Sequence, residues 1–352
     1  MSSPARAATR ATGDAVTRVE NWFVARKHAL YGLSGSRILV GTAVLGILVT
    51  NFGMRHIQWG PASGWIDAYR TDTGSGPLHA LFGTSSTVVF TLAYLVVMAL
   101  AVAVVLGWRT RLTTALLVLG IVSVVERNAL IGDQGDNIAR IGLLLMVFMN
   151  TAEHWSLDAR RRRRHAGLRL SPVRRILRGL PVAPRWLTNP LHNAALMALA
   201  LQLFILYTAS ALYKVQGERW QDGTALYYPL SLHEYSVFPL LNRLLTHNDV
   251  MVVAATYFAV FVQLFFAVGL LHHVTRRVAL VGVILMHVGI AVLMGLPWFS
   301  LSMIAFDSIF VSSATFAAVS AALGTLGRRT RARLGSRGAP ARRATPTGTG
   351  AE

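Results

Sequence analysis

The chain has 352 residues, 53% hydrophobic and 14% charged, with a mean hydropathy of +0.49, a composition that excludes an ordinary soluble domain and indicates a polytopic membrane protein. A net charge of +19 would suggest nucleic acid in a soluble chain, but the arginines cluster between apolar runs instead of along a binding face. The absence of cysteine excludes disulfides, thiolate nucleophiles, cysteine zinc sites and covalent c-type haem.

Residues 1–36 carry scattered basic side chains but no apolar stretch followed by a small-residue cleavage site, so no removable signal peptide is expected. Asp14 to Leu30 places Val16, Val19 and Phe23 on one side and Arg18, Arg26 and Lys27 elsewhere, the pattern of an amphipathic interfacial helix. Apolar runs of membrane length then predict eight spans, near 37–53, 86–107, 112–130, 138–153, 194–214, 250–271, 277–295 and 298–324. The fold class is all-α, a polytopic transmembrane helix bundle, because in lipid each span must satisfy its own backbone. Three regions are expected: a cytoplasmic N-terminus over 1–36, a transmembrane domain over 37–325 and a disordered basic tail over 326–352.

Basic residues gather at the N-terminus, at 109–111, at 160–178, at 276–277 and in the tail beyond Arg328. All lie on one side if every span crosses, and the positive-inside rule makes that side the cytoplasm, with both termini inside and the protein in the cell membrane. The opposite face holds three longer connections, 54–85, 127–137 and 215–249, rich in Trp, Gly, His and acids, where chemistry is expected to gather. Neither a solenoid repeat nor a phosphate-cradling glycine loop, an H-E-x-x-H or a G-x-S-x-G motif occurs, and no metal site is expected.

Polar residues inside apolar runs are the candidates for function. Around the fourth span, Asp133, Asp136, Asn137 and Arg140 share a helical face. They either cap a helix start, with Arg140 neutralising Asp136, or meet the end of the fifth span. In the last span Asp307 lies between apolar residues, costly unless paired, and Arg37, His287, Arg140 and Lys214 are the candidate partners. The fifth run, ALMALALQLFILYTASALY, stops on Lys214 and leads into VQGERWQDGTALYYPL. Tyr207, Ser210 and Lys214 are spaced to share one face, and Trp220, Asp222 and Gly223 form a polar and aromatic cap just beyond. Lys214 is either snorkelling to the lipid surface or held there as a usable base, with Asp136, Arg140 and Asp307 orienting or neutralising it. Tyr207, Trp220, Asp222 and Gly223 are the candidate substrate-binding residues.

The segment FILYTASALYKVQGERWQDGTALYYPL resembles the HTTM domain, the transmembrane module of the vitamin K-dependent gamma-carboxylase family, in which a helix ends in a lysine followed by a W-x-x-G turn. SRILVGTAVLGILV, EHWSLD and GLPWFSLSMIAFDSIF fit the same family, over roughly residues 15–325. Among bacterial relatives the chain is most similar to the sporulation-delaying-protein B group, associated with making or exporting toxic peptides. The resemblance implies that Lys214 stands where the carboxylase has the base that deprotonates reduced vitamin K, and implies a reduced quinone as cofactor. The carboxylase has a histidine at the outer end of its fourth-span region, where this chain has Asp136 and Asn137, and it carries a large extramembrane domain where this chain has a basic tail. Three functions are therefore expected in descending order: a membrane-embedded enzyme acting on a lipophilic or peptide substrate at the outer face, a non-catalytic accessory for maturation or export of a secreted or membrane peptide, and a transporter using Asp307 and Arg140. The lipid bilayer is the expected partner, and nucleic acid is not.

Overall fold

Polar anchors at helix ends organise the bundle. The computed structural model describes residues 4–63, 82–128, 131–132, 134–168, 171–178, 180–322 and 325, and these are all-helical, without strands. The chain divides into two units, Met1–Val311 and Ser312–Glu352. The first contains nine principal helices among the described residues: α1 (Pro4–Val24), α2 (Leu30–Thr50), α3 (Thr87–Leu106), α4 (Thr110–Val125), α5 (Gln134–Phe148), α6 (Arg185–Gln216), α7 (Asp249–Leu264), α8 (His273–Leu293) and α9 (Pro297–Asp307). In the second unit a helix spans Ser313–Ala322, its first turn capped by the Ser312 hydroxyl, which accepts from the Thr315 amide at 3.1 Å. The predicted tail over 326–352 and the predicted helix start at Asp133 lie outside the described residues.

Short α9 sits at the centre, packed on α2, α5, α6 and α8. Its close approach to α5 requires a glycine: a Cβ at Gly142 would lie 2.1 Å from the Phe306 ring. Phe306 is itself fully buried.

Among the described residues Arg37 is the largest fully buried side chain, with 0% exposure. It does not open α2 but lies inside it, seven residues beyond the helix start at Leu30, and its guanidinium donates to four backbone carbonyls. Two belong to Val104 and Val105 in the last turn of α3. The others belong to Thr151, at 3.1 Å, and Trp155, at 2.9 Å. The last carbonyls of a helix lack intrahelical partners and carry the negative end of the dipole, so a cation suits them. Nearby, the Asp158 carboxylate caps the start of α4, accepting from the Thr110 amide and hydroxyl, both at 2.8 Å, and from the Arg109 amide at 3.0 Å. EHWSLD is thus a structural joint between helix ends.

This joint also explains where the predicted fourth span fails. α5 stops at Phe148, and the residues after it leave the helix to offer carbonyls to Arg37. The fifth span begins nine residues earlier than hydropathy predicts, at Arg185. Its first turns carry Asn189, His192 and Asn193, all buried and all bonded to the last turn of α1 or the segment after it: Asn193 Nδ2 donates to the carbonyls of Phe23 and Arg26, each at 2.8 Å, and His192 bridges the His28 carbonyl and the Asn150 amide, each at 2.9 Å. Of the predicted interfacial helix over Asp14–Leu30, the part up to Val24 is helical as the end of α1, while Leu30 opens α2 after Ala29 in the left-handed region, and its amphipathic, interfacial character is not confirmed. Val16 and Val19 remain exposed on α1.

The eighth predicted span, 298–324, is not one helix. α9 ends at Asp307, a 3-10 turn follows over Ser308–Phe310, and the Ser308 hydroxyl donates to the carbonyl of Gly32 at 3.0 Å. By length and composition four helices, α2, α3, α6 and α8, can cross a membrane, or up to six if each of two broken helix pairs counts as one span, so eight crossings are not confirmed. One such pair, Pro239–Thr246 with α7, bends by 98°. α4, at 16 residues, is a shorter apolar helix.

Candidate functional site

The last turns of α6 present Ser210 and Lys214 on one face, as their four-residue spacing requires. The Lys214 ammonium donates to Ser210 Oγ at 2.6 Å and to Gln263 Oε1, from α7, at 2.7 Å, with a stretched contact of 3.5 Å to the Ser210 carbonyl. The Ser210 hydroxyl donates in turn to Gln263 Oε1 at 3.2 Å. The indole of Trp220 lies over the amine, its centroid 5.3 Å away, a cation–π contact that supplements neutral acceptors. Among the described residues no carboxylate lies within ion-pair distance of Lys214.

This group sits on the wall of a cavity of about 860 Å³ lined by α6, α7, α8, α9 and the segment after α6. Its lining is mostly aliphatic and aromatic, with Gln202, Ser210, Lys214, Gln263 and His287 as polar members. The size and the few convergent polar groups match those of small-molecule sites.

Behind the wall lies a second polar group. The Tyr207 hydroxyl donates to Asp307 Oδ2 at 2.8 Å and meets His287 Nε2 at 3.2 Å. All three residues are essentially fully buried. Asp307 Oδ1 and His287 Nδ1 are buried without partners. Phe266 packs on the Tyr207 ring at 4.6 Å and Phe299 on the His287 ring at 5.8 Å.

The structure therefore brings together some of the expected residues and separates others. Lys214 and Trp220 share the cavity wall, and Tyr207 joins Asp307 instead of Lys214. Of the partners proposed for Asp307, only His287 is near, through Tyr207, while Arg37 is engaged by carbonyls. Arg140 pairs with Glu126 at 2.6 Å and donates to Asn137 Oδ1. Asp136 stands half-buried in the first turn of α5. Neither is among the groups that hold Lys214. Asp222 and Gly223 do not line the cavity: Asp222 Oδ1 accepts from the Thr224 hydroxyl at 2.6 Å and amide at 2.9 Å, and Gly223, with φ +79°, turns the chain back toward α7. The Thr224 hydroxyl and amide hold the Asp222 carboxyl below its ordinary value. The same segment is fastened to α7 by Tyr257, whose hydroxyl donates to the Gln221 carbonyl at 2.7 Å. Gln263 escaped the sequence reading, although a lone amide in the run VMVVAATYFAVFVQLFF is itself a polar signal.

Residues 184–314 match the HTTM domain. The chain is also 28% identical over 201 residues to sporulation-delaying protein SdpB of Bacillus subtilis (strain 168), a match that covers 55% of each chain, so the chain spans about half the length of that curated relative. No solved structure matches. These findings make it an HTTM- and SdpB-like membrane protein. The matched segment contains Tyr207, Lys214, Trp220, Gln263, His287 and Asp307, but not Arg37, Asp136 or Arg140.

Proposed function

We propose that the chain is a membrane-embedded enzyme that binds a lipophilic substrate in the cavity at the end of α6 and uses Lys214 as its base. The observation that carries this reading is an amine held by two neutral acceptors, Ser210 Oγ and Gln263 Oε1, on an apolar cavity wall. A structural lysine in such a place would be expected to pair with a carboxylate. Loss of one proton leaves both hydrogen bonds in place and frees a lone pair, which an arginine cannot offer. In this reading the cavity lies toward the outer face of the cell membrane, both termini are cytoplasmic, and α1 lies along the inner surface.

The lining also suits the reduced quinone that the resemblance implies. Apolar walls would take its ring and tail, and Lys214 and the unpartnered His287 Nδ1 would meet ring oxygens. Such a group supplies reducing equivalents and ionisable phenols when bound. The test is mass spectrometry of small molecules that co-purify with the wild type and with Lys214→Ala in mild detergent. A lipophilic compound in the wild type alone is the expected result, and identical backgrounds would overturn the reading.

A second reading, a non-catalytic accessory in the maturation or export of a peptide toxin, is favoured by the likeness to a sporulation-delaying protein and by the exposed Leu240 and Leu244 on Pro239–Thr246. It requires Leu240→Asp with Leu244→Asp to block peptide maturation while Lys214→Arg does not.

A further inference from the structure

The hydrogen bonds behind the cavity wall have a direction. With Asp307 ionised, the one hydroxyl proton of Tyr207 is donated to Asp307 Oδ2 at 2.8 Å. The 3.2 Å contact between the Tyr207 oxygen and His287 Nε2 must then be supplied by a proton on Nε2. In a neutral imidazole this leaves Nδ1 as a bare acceptor. His287 is among the residues that line the cavity, and with Nε2 turned to Tyr207 its remaining polar atom is Nδ1, buried and without a partner. At the far end of the chain of bonds Asp307 is fully buried, with a single hydrogen bond and one oxygen unpartnered. Among the described residues no cation pairs with it.

We infer that His287, Tyr207 and Asp307 form a proton relay opening on the cavity, a second proton acceptor distinct from Lys214, and that its ligand is a lipophile bearing an acidic hydroxyl, a phenol or an enol. The step balances. The ligand O–H bond breaks and an N–H bond forms at His287 Nδ1; the Nε2 proton passes to the Tyr207 oxygen; the Tyr207 proton passes to Asp307 Oδ2. Histidine and tyrosine end neutral, with the histidine in its other tautomer. The negative charge moves from the buried carboxylate to the ligand oxygen, into the cavity that holds Lys214. Phe266 and Phe299 on the two rings keep the path dry, so the proton is passed along the chain instead of to water. His287 would touch the ligand, while Tyr207 and Asp307 act through it.

The inference rests on the reading that the cavity holds a lipophilic substrate, and one experiment separates the two. The full chain in lipid nanodiscs is titrated with an alkyl-naphthol, binding is followed by calorimetry, and the infrared difference spectrum is recorded in H₂O and D₂O. The expected result is binding to the wild type together with a new protonated-carboxyl band that shifts in D₂O. Asp307→Asn should lose this band, and so should Tyr207→Phe, which keeps the aspartate but breaks the relay, with affinity changed less than about tenfold in both. Binding without the band, or a band that persists in Tyr207→Phe, would overturn the relay and leave the cavity reading standing. No binding to the wild type would overturn both.

Discussion

Gly142→Ala tests whether the contact between α5 and α9 is as close as it stands. The added methyl would lie 2.1 Å from Cζ of Phe306, 2.3 Å from Cε1 and 2.8 Å from Cε2. Carbon atoms in good contact stand about 3.5–4.0 Å apart, so the ring or the helix must yield by roughly 1.5 Å. Phe306 is 0% exposed and has no solvent to swing into. Overpacking of this kind costs typically about 1–3 kcal/mol, which in a chain of this size lowers the thermal midpoint by a few degrees, roughly 2–4 °C per kcal/mol. The next residue is Asp307, so the displacement should also weaken the bond to Tyr207. Unfolding followed by light scattering and tryptophan emission in detergent reads the loss. Phe306→Leu in the same chain should recover part of it, with a coupling energy of at least about 1 kcal/mol in the double-mutant cycle. A wild-type midpoint for Gly142→Ala, or a double variant whose losses simply add, would refute the packing argument.

Lys214→Arg should retain the ligand but convert it at least about 100-fold more slowly, the scale of a lost general base; equal conversion of the co-purified compound, followed by mass spectrometry, would show that Lys214 is not the base. Gln263→Leu removes the acceptor 2.7 Å from the amine, a charge-assisted bond worth about 1.5–3 kcal/mol, and should weaken ligand binding roughly 10- to 100-fold; an unchanged Kd would mean that Gln263 does not set the amine's position. Arg37→Met removes the donor to the buried Thr151 carbonyl, at about 1–3 kcal/mol, together with the bond to the Trp155 carbonyl, so hydrogen exchange across 149–156 should accelerate, and unchanged protection there would contradict the joint. The Asp222 carboxyl lies below its ordinary value of 3.8 because it accepts from Thr224. Its contribution to the turn is therefore fully present above that pH and lost as the pH falls through the lower folded value. Exchange at the Thr224 amide, corrected for its intrinsic rate, should rise on acidification in the wild type, and Asp222→Asn should show no such transition.

Hydropathy made the membrane-length runs behind α2, α3, α6 and α8 legible, because an apolar stretch of that length has few other uses. It could not place their ends, which are decided by partners far away in sequence. α6 gains its first turns because Asn189, His192 and Asn193 find carbonyls more than 160 residues earlier; read alone they are polar residues that should end a span. α5 loses its predicted last turn because Arg37 draws off the carbonyls of Thr151 and Trp155. The face of Tyr207, Ser210 and Lys214 was legible from spacing, and so was the oddity of Asp307. That the face splits was not: Ser210 and Lys214 turn to Gln263, whereas Tyr207 turns inward to Asp307. Such a division depends on which neighbour supplies the acceptor, and only packing reveals it.

Two basic residues show how these cases differ. Arg37 and Lys214 are both basic residues in apolar helices, and both satisfy their donors without a carboxylate as direct partner. Arg37 spends its planar fork on four carbonyls that cannot change protonation, so it can only hold the ends of helices together. Lys214 stands 22 residues beyond His192 on the same helix, about 33 Å away at 1.5 Å per residue. There it shares a cavity with a histidine that keeps an unused nitrogen. A buried polar atom without a partner costs about 1–3 kcal/mol, and a site that carries such atoms beside a cavity recovers that cost only when something enters. The saturated end of α6 is therefore the place to look for stability effects, and the unsaturated end the place to look for a ligand.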